Sequence, residues 1–166
     1  STINWEVPVF ISLTINIENI LMNDNVNKKD KAYLIEMFSK EPQTTLGIKK
    51  IVNLDFINGE ANAIYLAKKN MCRSGNIVQG GFITGWLDAI MAISCMCKEG
   101  SDCLVLSLEI KTSFLNQVNP GEVLVFGRVV KSGKSIAFLE GELKDNKNNL
   151  LAKANQTVKL IRNFYK

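Results

Sequence analysis

No histidine occurs among the 166 residues. That absence removes Ser-His-Asp and Cys-His nucleophilic catalysis, imidazole-held zinc, and any dehydration that needs a histidine base. Cysteine is scarce as well. Cys72, Cys95, Cys97 and Cys103 contain no C-x-x-C pair, which favours small buried apolar residues in a reducing compartment over disulfide or metal chemistry. No run approaches the ~18 apolar residues of a membrane span, and the N-terminal stretch has no basic region or small-residue cleavage site. A cytoplasmic protein with no membrane partner is therefore expected. Charge is nearly balanced, twenty basic against sixteen acidic residues giving +4. Residues 1–70 carry eight of each sign and residues 71–166 twelve basic and eight acidic. Such a bias is too weak for a nucleic-acid arm, but it is compatible with a phosphate-bearing small molecule.

What is present is ordinary globular material, 46% apolar and 22% charged, enough to bury a core without staples. Residues 1–43 read as an N-terminal extension, expected to be helical, and residues 44–166 as one domain. Pro8 to Met22 fits a strand or a helix, and Pro8 at a helix start tips the reading toward helix. Asp30 to Lys40 is a better helix, with Asp30 as its cap and Tyr33, Leu34, Met37 and Phe38 on one face. Gly47–Phe56 and Ala61–Ala67 read as strands joined at Asn58-Gly59. After the loop Arg73-Ser74-Gly75-Asn76 comes a long apolar segment, Gln79 to Cys97. Four more strands follow, about Cys103–Leu115, Glu122–Lys131, Ser135–Lys144 and Leu150–Leu160, separated by turn-forming residues. In the first of these, Leu104, Leu106, Leu108 and Ile110 alternate with Val105, Ser107, Glu109 and Lys111, as for a sheet with one buried face. One long helix followed by antiparallel strands argues for α+β, with the sheet wrapped around the helix.

The segment QGGFITGWLDAIMAISCMC covers every side of a helical wheel with apolar residues, so it belongs inside the protein. At its centre stands Asp88, the one charge between Arg73 and Lys98. A carboxylate there either braces neighbouring backbone or serves as base or nucleophile in an apolar cleft. Gln79-Gly80-Gly81 opens the helix, where free N–H groups and the positive dipole end stabilise an oxyanion. Two glycines at such a place also serve close packing. A double-glycine helix start with a lone carboxylate nine residues on favours the chemical reading.

Val78-Gln79-Gly80-Gly81-Phe82 followed by Leu87-Asp88 resembles the hot-dog-fold acyl-CoA thioesterases of the phenylacetate-pathway (PaaI-like) branch. There a His-Gly-Gly or Gln-Gly-Gly opens the central helix and an Asp or Glu lies nine residues after its first position. Leu106 to Ile110, Ser113-Phe114-Leu115, Asn119-Pro120-Gly121-Glu122, Lys131 to Phe138 and Leu150-Leu151-Ala152 extend the resemblance over about Leu46 to Ile161. It implies a hot-dog fold of five or six antiparallel strands around one long helix, and hydrolysis of a coenzyme A thioester as substrate without metal or other cofactor. The Gly80 N–H would polarise the carbonyl beside Gly81, Gln79 would fix the carbonyl or the water, Asp88 would activate the water or attack, and Ser107 would position it. Lys131 and Lys134, flanking Gly133, resemble the basic turn that meets the nucleotide phosphates. Two positions depart from the family: Arg73 stands where Asn is usual, with Asn76 three residues nearer the motif, and Gln79 replaces the commoner His. A non-catalytic acyl-CoA or acyl-carrier binding protein is the alternative.

Helix geometry adds one expectation. Gln79 and Asp88, nine residues apart, are separated by about 13.5 Å along an α-helix axis and about 180° around it. If both serve one thioester, the second must come from another chain, with the two central helices antiparallel about a two-fold axis. A homodimer with shared sites is expected, and the resemblance implies its frequent doubling into a homotetramer.

Overall fold

The computed structural model describes residues 28–165; Pro8–Met22 lies outside them. Helices α1 (Lys28–Phe38) and α2 (Gln43–Leu46) lead into strands β1 (Ile48–Asp55) and β2 (Glu60–Ala67). A two-stranded ribbon, β3 (Cys72–Arg73) with β4 (Ile77–Val78), delivers the chain to the central helix α3 (Gly80–Glu99). Strands β5 (Leu104–Phe114), β6 (Gly121–Ser132), β7 (Ile136–Lys144) and β8 (Leu150–Ile161) complete the fold. One six-stranded antiparallel sheet in the order β1-β2-β6-β7-β8-β5 packs against α3, the α+β architecture expected.

Small residues set how closely the helix lies on the sheet. Ala61, Gly127, Gly141, Ala154 and Thr112 are successive cross-strand partners, forming a strip across β2, β6, β7, β8 and β5. A Cβ on Gly127 would stand 2.8 Å from the Ile90 carbonyl oxygen, and one on Gly141 would stand 3.1 Å from Leu87. The helix backbone rests almost directly on the sheet, and its large side chains pack to either side. Trp86, Leu87, Ile90 and Met91 are fully buried among Tyr65, Val125, Leu139 and Val158. α3 alone among the described helices has the length and apolarity of a membrane span, and here that character serves a core.

The N-terminal elements join this core. Leu34 and Phe38 of α1 are buried in it, and the buried Gln43 accepts the Tyr65 hydroxyl at 2.9 Å. Asp30 lies within α1 rather than capping it, and its carboxylate accepts the Ser101 N–H at 2.8 Å just past the end of α3. α2 stops at Gly47, whose φ of 77° and contact of a would-be Cβ with the Leu66 carbonyl at 2.8 Å leave only glycine comfortable.

Two local expectations change. The β1–β2 connection is four residues rather than a two-residue turn; Asp55 organises it, accepting the N–H groups of Ile57 and Asn58 at 2.9 Å each. In β5, a bulge between Ser107 and Glu109 breaks the simple alternation. Val105 and Ser107 pair with the buried Leu160 and Val158, and beyond the bulge Ile110, Thr112 and Phe114 pair with the buried Gln156, Ala154 and Ala152. The helix-facing row is thus Val105, Ser107, Ile110, Thr112 and Phe114. Leu106 and Leu108 are 41% and 57% exposed instead of buried.

Candidate active site

The helix start is built by its own first side chain. Gln79 is the N-cap, with extended φ and ψ of −69° and 137°, and its Oε1 accepts the Gly81 N–H at 3.0 Å. That bond settles one of the orphan donors of the first turn and leaves the Gly80 N–H, the first of the helix, with no intrahelical acceptor. A Cβ at Gly81 would lie 2.7 Å from Gln79 Oε1, and one at Gly80 would lie 3.0 Å from the Phe114 ring. A side chain at either glycine would therefore press on the capping oxygen or on the Phe114 ring, and one of these would have to shift. In front of them opens a cleft of about 530 Å³ lined by Ile77, Gln79, Gly80, Ile83, Phe114 and Leu115, with Arg73 and Val118 among its other walls.

Two turns along the helix, Asp88 meets β5 and β8. Ser107 Oγ donates to Asp88 Oδ1 at 2.9 Å. Gln156 Nε2 donates to the same Oδ1 and to Ser107 Oγ, the latter at 2.7 Å. Asp88 is half-buried and Ser107 exposed, so the carboxylate is reached from solvent in the single protomer rather than sealed in the core. Gln156 is 2% exposed. Sequence reading missed it. The readable signal is its place in the inward row Ala152, Ala154, Gln156, Val158 and Leu160 of β8, where every other member is apolar.

Gly80, Thr84 and Asp88 all address β5. Gly80 lies against Phe114, Thr84 Oγ1 donates to Thr112 Oγ1 at 3.1 Å, and Asp88 meets Ser107. The helix start and the carboxylate therefore both lean toward β5, but eight residues separate them by about 12 Å of rise and about 80° of turn, less than the about 180° expected between Gln79 and Asp88. Reacting atoms must approach within about 3–3.5 Å, so the N–H of Gly80 and the carboxylate of Asp88 in one chain do not converge on one carbon.

The remaining candidates fall in two places. Arg73 borders the cleft. Asn76 lies exposed in a single 3-10 turn (Ser74–Asn76) with φ 55°, its carbonyl accepting Asn119 Nδ2 at 3.1 Å. Lys131, Gly133 and Lys134 sit exposed on the β6–β7 hairpin beside the far end of α3. Arg162, a second residue missed from sequence, pins that hairpin. It donates to the carbonyls of Gly133 (2.9 Å) and Lys134 and, through Nε and Nη2, to Glu99 Oε2 at 3.0 and 2.6 Å; Ser132 Oγ donates to the other Glu99 oxygen. Within one chain, hairpin and helix start lie at opposite ends of a helix about 30 Å long. Burial pushes the Cys95 and Cys97 thiols up to about 12, far from a reactive thiolate. Among the described residues no three His, Cys, Asp or Glu side chains gather as a metal site would need.

A family model for the thioesterase superfamily matches residues 75–152, from the loop before α3 into β8. A candidate esterase of Thermoplasma volcanium is 33% identical over 96 residues, spanning 58% of this chain and 71% of the relative. The chain belongs to the thioesterase superfamily. Among solved structures, this thioesterase-superfamily chain is 25% identical to a phenylacetic acid degradation-related protein of Ralstonia eutropha, with a TM-score of 0.69 over 76% of this chain and 98% of the other. The Escherichia coli PaaI protein has the same fold, with a TM-score of 0.71 at 18% identity over 80% and 94% of the two chains. The hot-dog fold and the PaaI-like branch follow from these likenesses. The superfamily match takes in Gln79–Gly81, Asp88 and Ser107 and stops before Gln156.

Proposed function

We propose that the protein hydrolyses acyl-CoA thioesters at a site shared between two copies of the chain. The observation that carries this reading is the pairing of an unspent N–H at Gly80, opening on an apolar cleft, with a carboxylate at Asp88 held by Ser107. The thioester oxygen lies at the helix start, where the Gly80 N–H and the positive end of the helix stabilise the developing oxyanion. Asp88 of the second chain takes a proton from water as the water oxygen attacks the carbonyl carbon. Collapse of the tetrahedral intermediate breaks the carbon–sulfur bond, and the proton passes from Asp88 to the departing thiolate. The chain's own residues supply every step, with no resident cofactor.

A second copy is favoured by β5, one of the two edges of the sheet. It is eleven residues long, and Leu106, Leu108, Phe114 and the adjoining Leu115 are 41–57% exposed. A long apolar edge is covered in natural proteins, and two such edges paired about a two-fold axis cover each other. The arrangement also brings the Lys131–Lys134 hairpin of one chain toward the helix start of the other, where the phosphates of coenzyme A need cations.

The test is thiol release from a panel of acyl-CoAs of increasing chain length, by the wild type and by Asp88→Asn. Release by the wild type, reduced about 10²–10⁴-fold in the variant, is expected of a general base. Binding without release at every chain length would make the protein a non-catalytic acyl-CoA carrier instead.

A further inference from the structure

Three hydrogen bonds close a triangle on Asp88 Oδ1, two donated to that oxygen and the third joining its two donors. Gln156 Nε2 has two hydrogens, and the geometry directs one to Asp88 Oδ1 and the other to Ser107 Oγ; the single Ser107 hydrogen goes to the same Oδ1. Every donor of the cluster is used on this triangle, and Asp88 Oδ2 receives none of them. An oxygen already accepting two hydrogen bonds is a poor base, while its twin keeps both lone pairs.

The other end of Gln156 shows what the side chain is for. Its Oε1 is buried and has no hydrogen-bond partner among the described residues. A glutamine kept for stability satisfies both ends of its amide when buried, because an unpaired buried acceptor is a net cost. Here the amide meets that cost while its NH₂ reaches Asp88, 68 residues away in sequence.

We infer that Gln156 is a positioning residue. It clamps Asp88 Oδ1 together with Ser107 and so presents Oδ2 as the oxygen that meets the attacking water. The inference rests on the thioesterase reading for its reaction, and on the hydrogen-bond triangle alone for its geometry. Gln156 touches no substrate in this scheme; it acts through Asp88. Loss of the clamp frees the carboxylate to rotate, which misplaces the base without removing it.

The experiment compares wild type, Gln156→Met and Gln156→Glu by steady-state kinetics, thermal melting and ¹⁵N NMR of the side-chain amides. Methionine keeps the volume and loses the donor. It should lower kcat about 10–100-fold, leave KM within twofold, and hold or raise Tm because the unpaired acceptor is gone. The Gln156 NH₂ signals should move in Asp88→Ala, a readout that needs no turnover. Unchanged kcat in Gln156→Met, or NH₂ signals indifferent to Asp88, overturns the inference. Should Gln156→Met fail to fold, Gln156→Glu decides. Its protonated acid donates to Asp88 as the amide does, so its kcat relative to wild type should climb as pH falls; a flat ratio overturns the inference. A wild type that hydrolyses no thioester sinks the functional reading instead, and the NH₂ signals still decide the geometry.

Discussion

Gly80 and Asp88 lean on the same strand of their own sheet, Gly80 against Phe114 and Asp88 against Ser107, yet stand about 12 Å apart along the helix axis. A thioester polarised by one cannot meet the other in the same chain. If both serve one thioester, as proposed, the two halves of the chemistry should be recoverable from two differently damaged chains.

Chains carrying Asp88→Asn, mixed and refolded with chains carrying Gly80→Val, should regain activity that neither has alone. Valine at 80 strikes the Phe114 ring and closes the helix start. Random pairing makes about half the dimers mixed, each with one intact site of two, so about a quarter of wild-type activity should return. Mixed dimers that form and stay inactive would disprove the shared site.

Lys131→Ala combined with Lys134→Ala should raise KM for acyl-CoA about tenfold and leave KM for a short thioester lacking the nucleotide nearly unchanged. On the proposed reading the lysines are remote from the reacting carbon and would act on binding rather than on chemistry. Equal losses on both substrates would point to a damaged hairpin. Arg162 and Glu99 hold the turn from beneath, so removing the outward lysines should spare its backbone.

Gly127→Ala tests the closeness of helix and sheet. The new methyl group would meet the Ile90 carbonyl at 2.8 Å, and the obstacle is backbone that cannot swing aside. A loss of about 1–3 kcal/mol is expected, read as a drop in Tm of about 2–4 °C per kcal/mol for a chain of this size. A Tm within a degree of wild type would show that the helix has room to shift.

Asp55 gives a pH signature. The Asn58 N–H holds its carboxyl below the usual carboxylate range against the opposing effect of burial, aided by the Asn58 amide, the Ile57 N–H and Lys98. A lowered pKa means stability that is present above the ordinary aspartate value and lost as pH falls through the folded one. Asp55→Ala should therefore cost about 1 kcal/mol at pH 7, with the gap in Tm narrowing below about pH 4. A gap independent of pH would mean the loop is held by something other than the ionised carboxylate.

The sequence showed the helix start and Asp88 because both are anomalies, glycines where a helix begins and a charge among apolar residues. Ser107 came from family likeness, and simple alternation placed Leu106 and Leu108 inward. Val105 and Ser107 face inward instead, and the bulge after Ser107 then brings Ile110 into the same row; a one-residue bulge leaves no mark in composition. Gln156 and Arg162 stayed hidden because their roles depend on partners 68 and 63 residues distant. A single polar residue in a strand carries no such address. The Asn58-Gly59 signal found the right hairpin but not its four-residue loop, which Asp55 dictates from the strand end.

The hydrogen bond between Thr84 and Thr112 ties the helix, midway between Gly80 and Asp88, to the last third of β5, and this makes the helix a ruler. The count of residues between Gly80 and Asp88 fixes both the spacing and the bearing of the two reactive groups. One residue inserted there would advance Asp88 by about 1.5 Å and swing it about 100°. In a symmetric pair of chains the same error would be written into both sites at once. On the proposed shared-site reading, that stretch of nine residues would set the dimensions of two reaction chambers, and an insertion or deletion in it would disturb both.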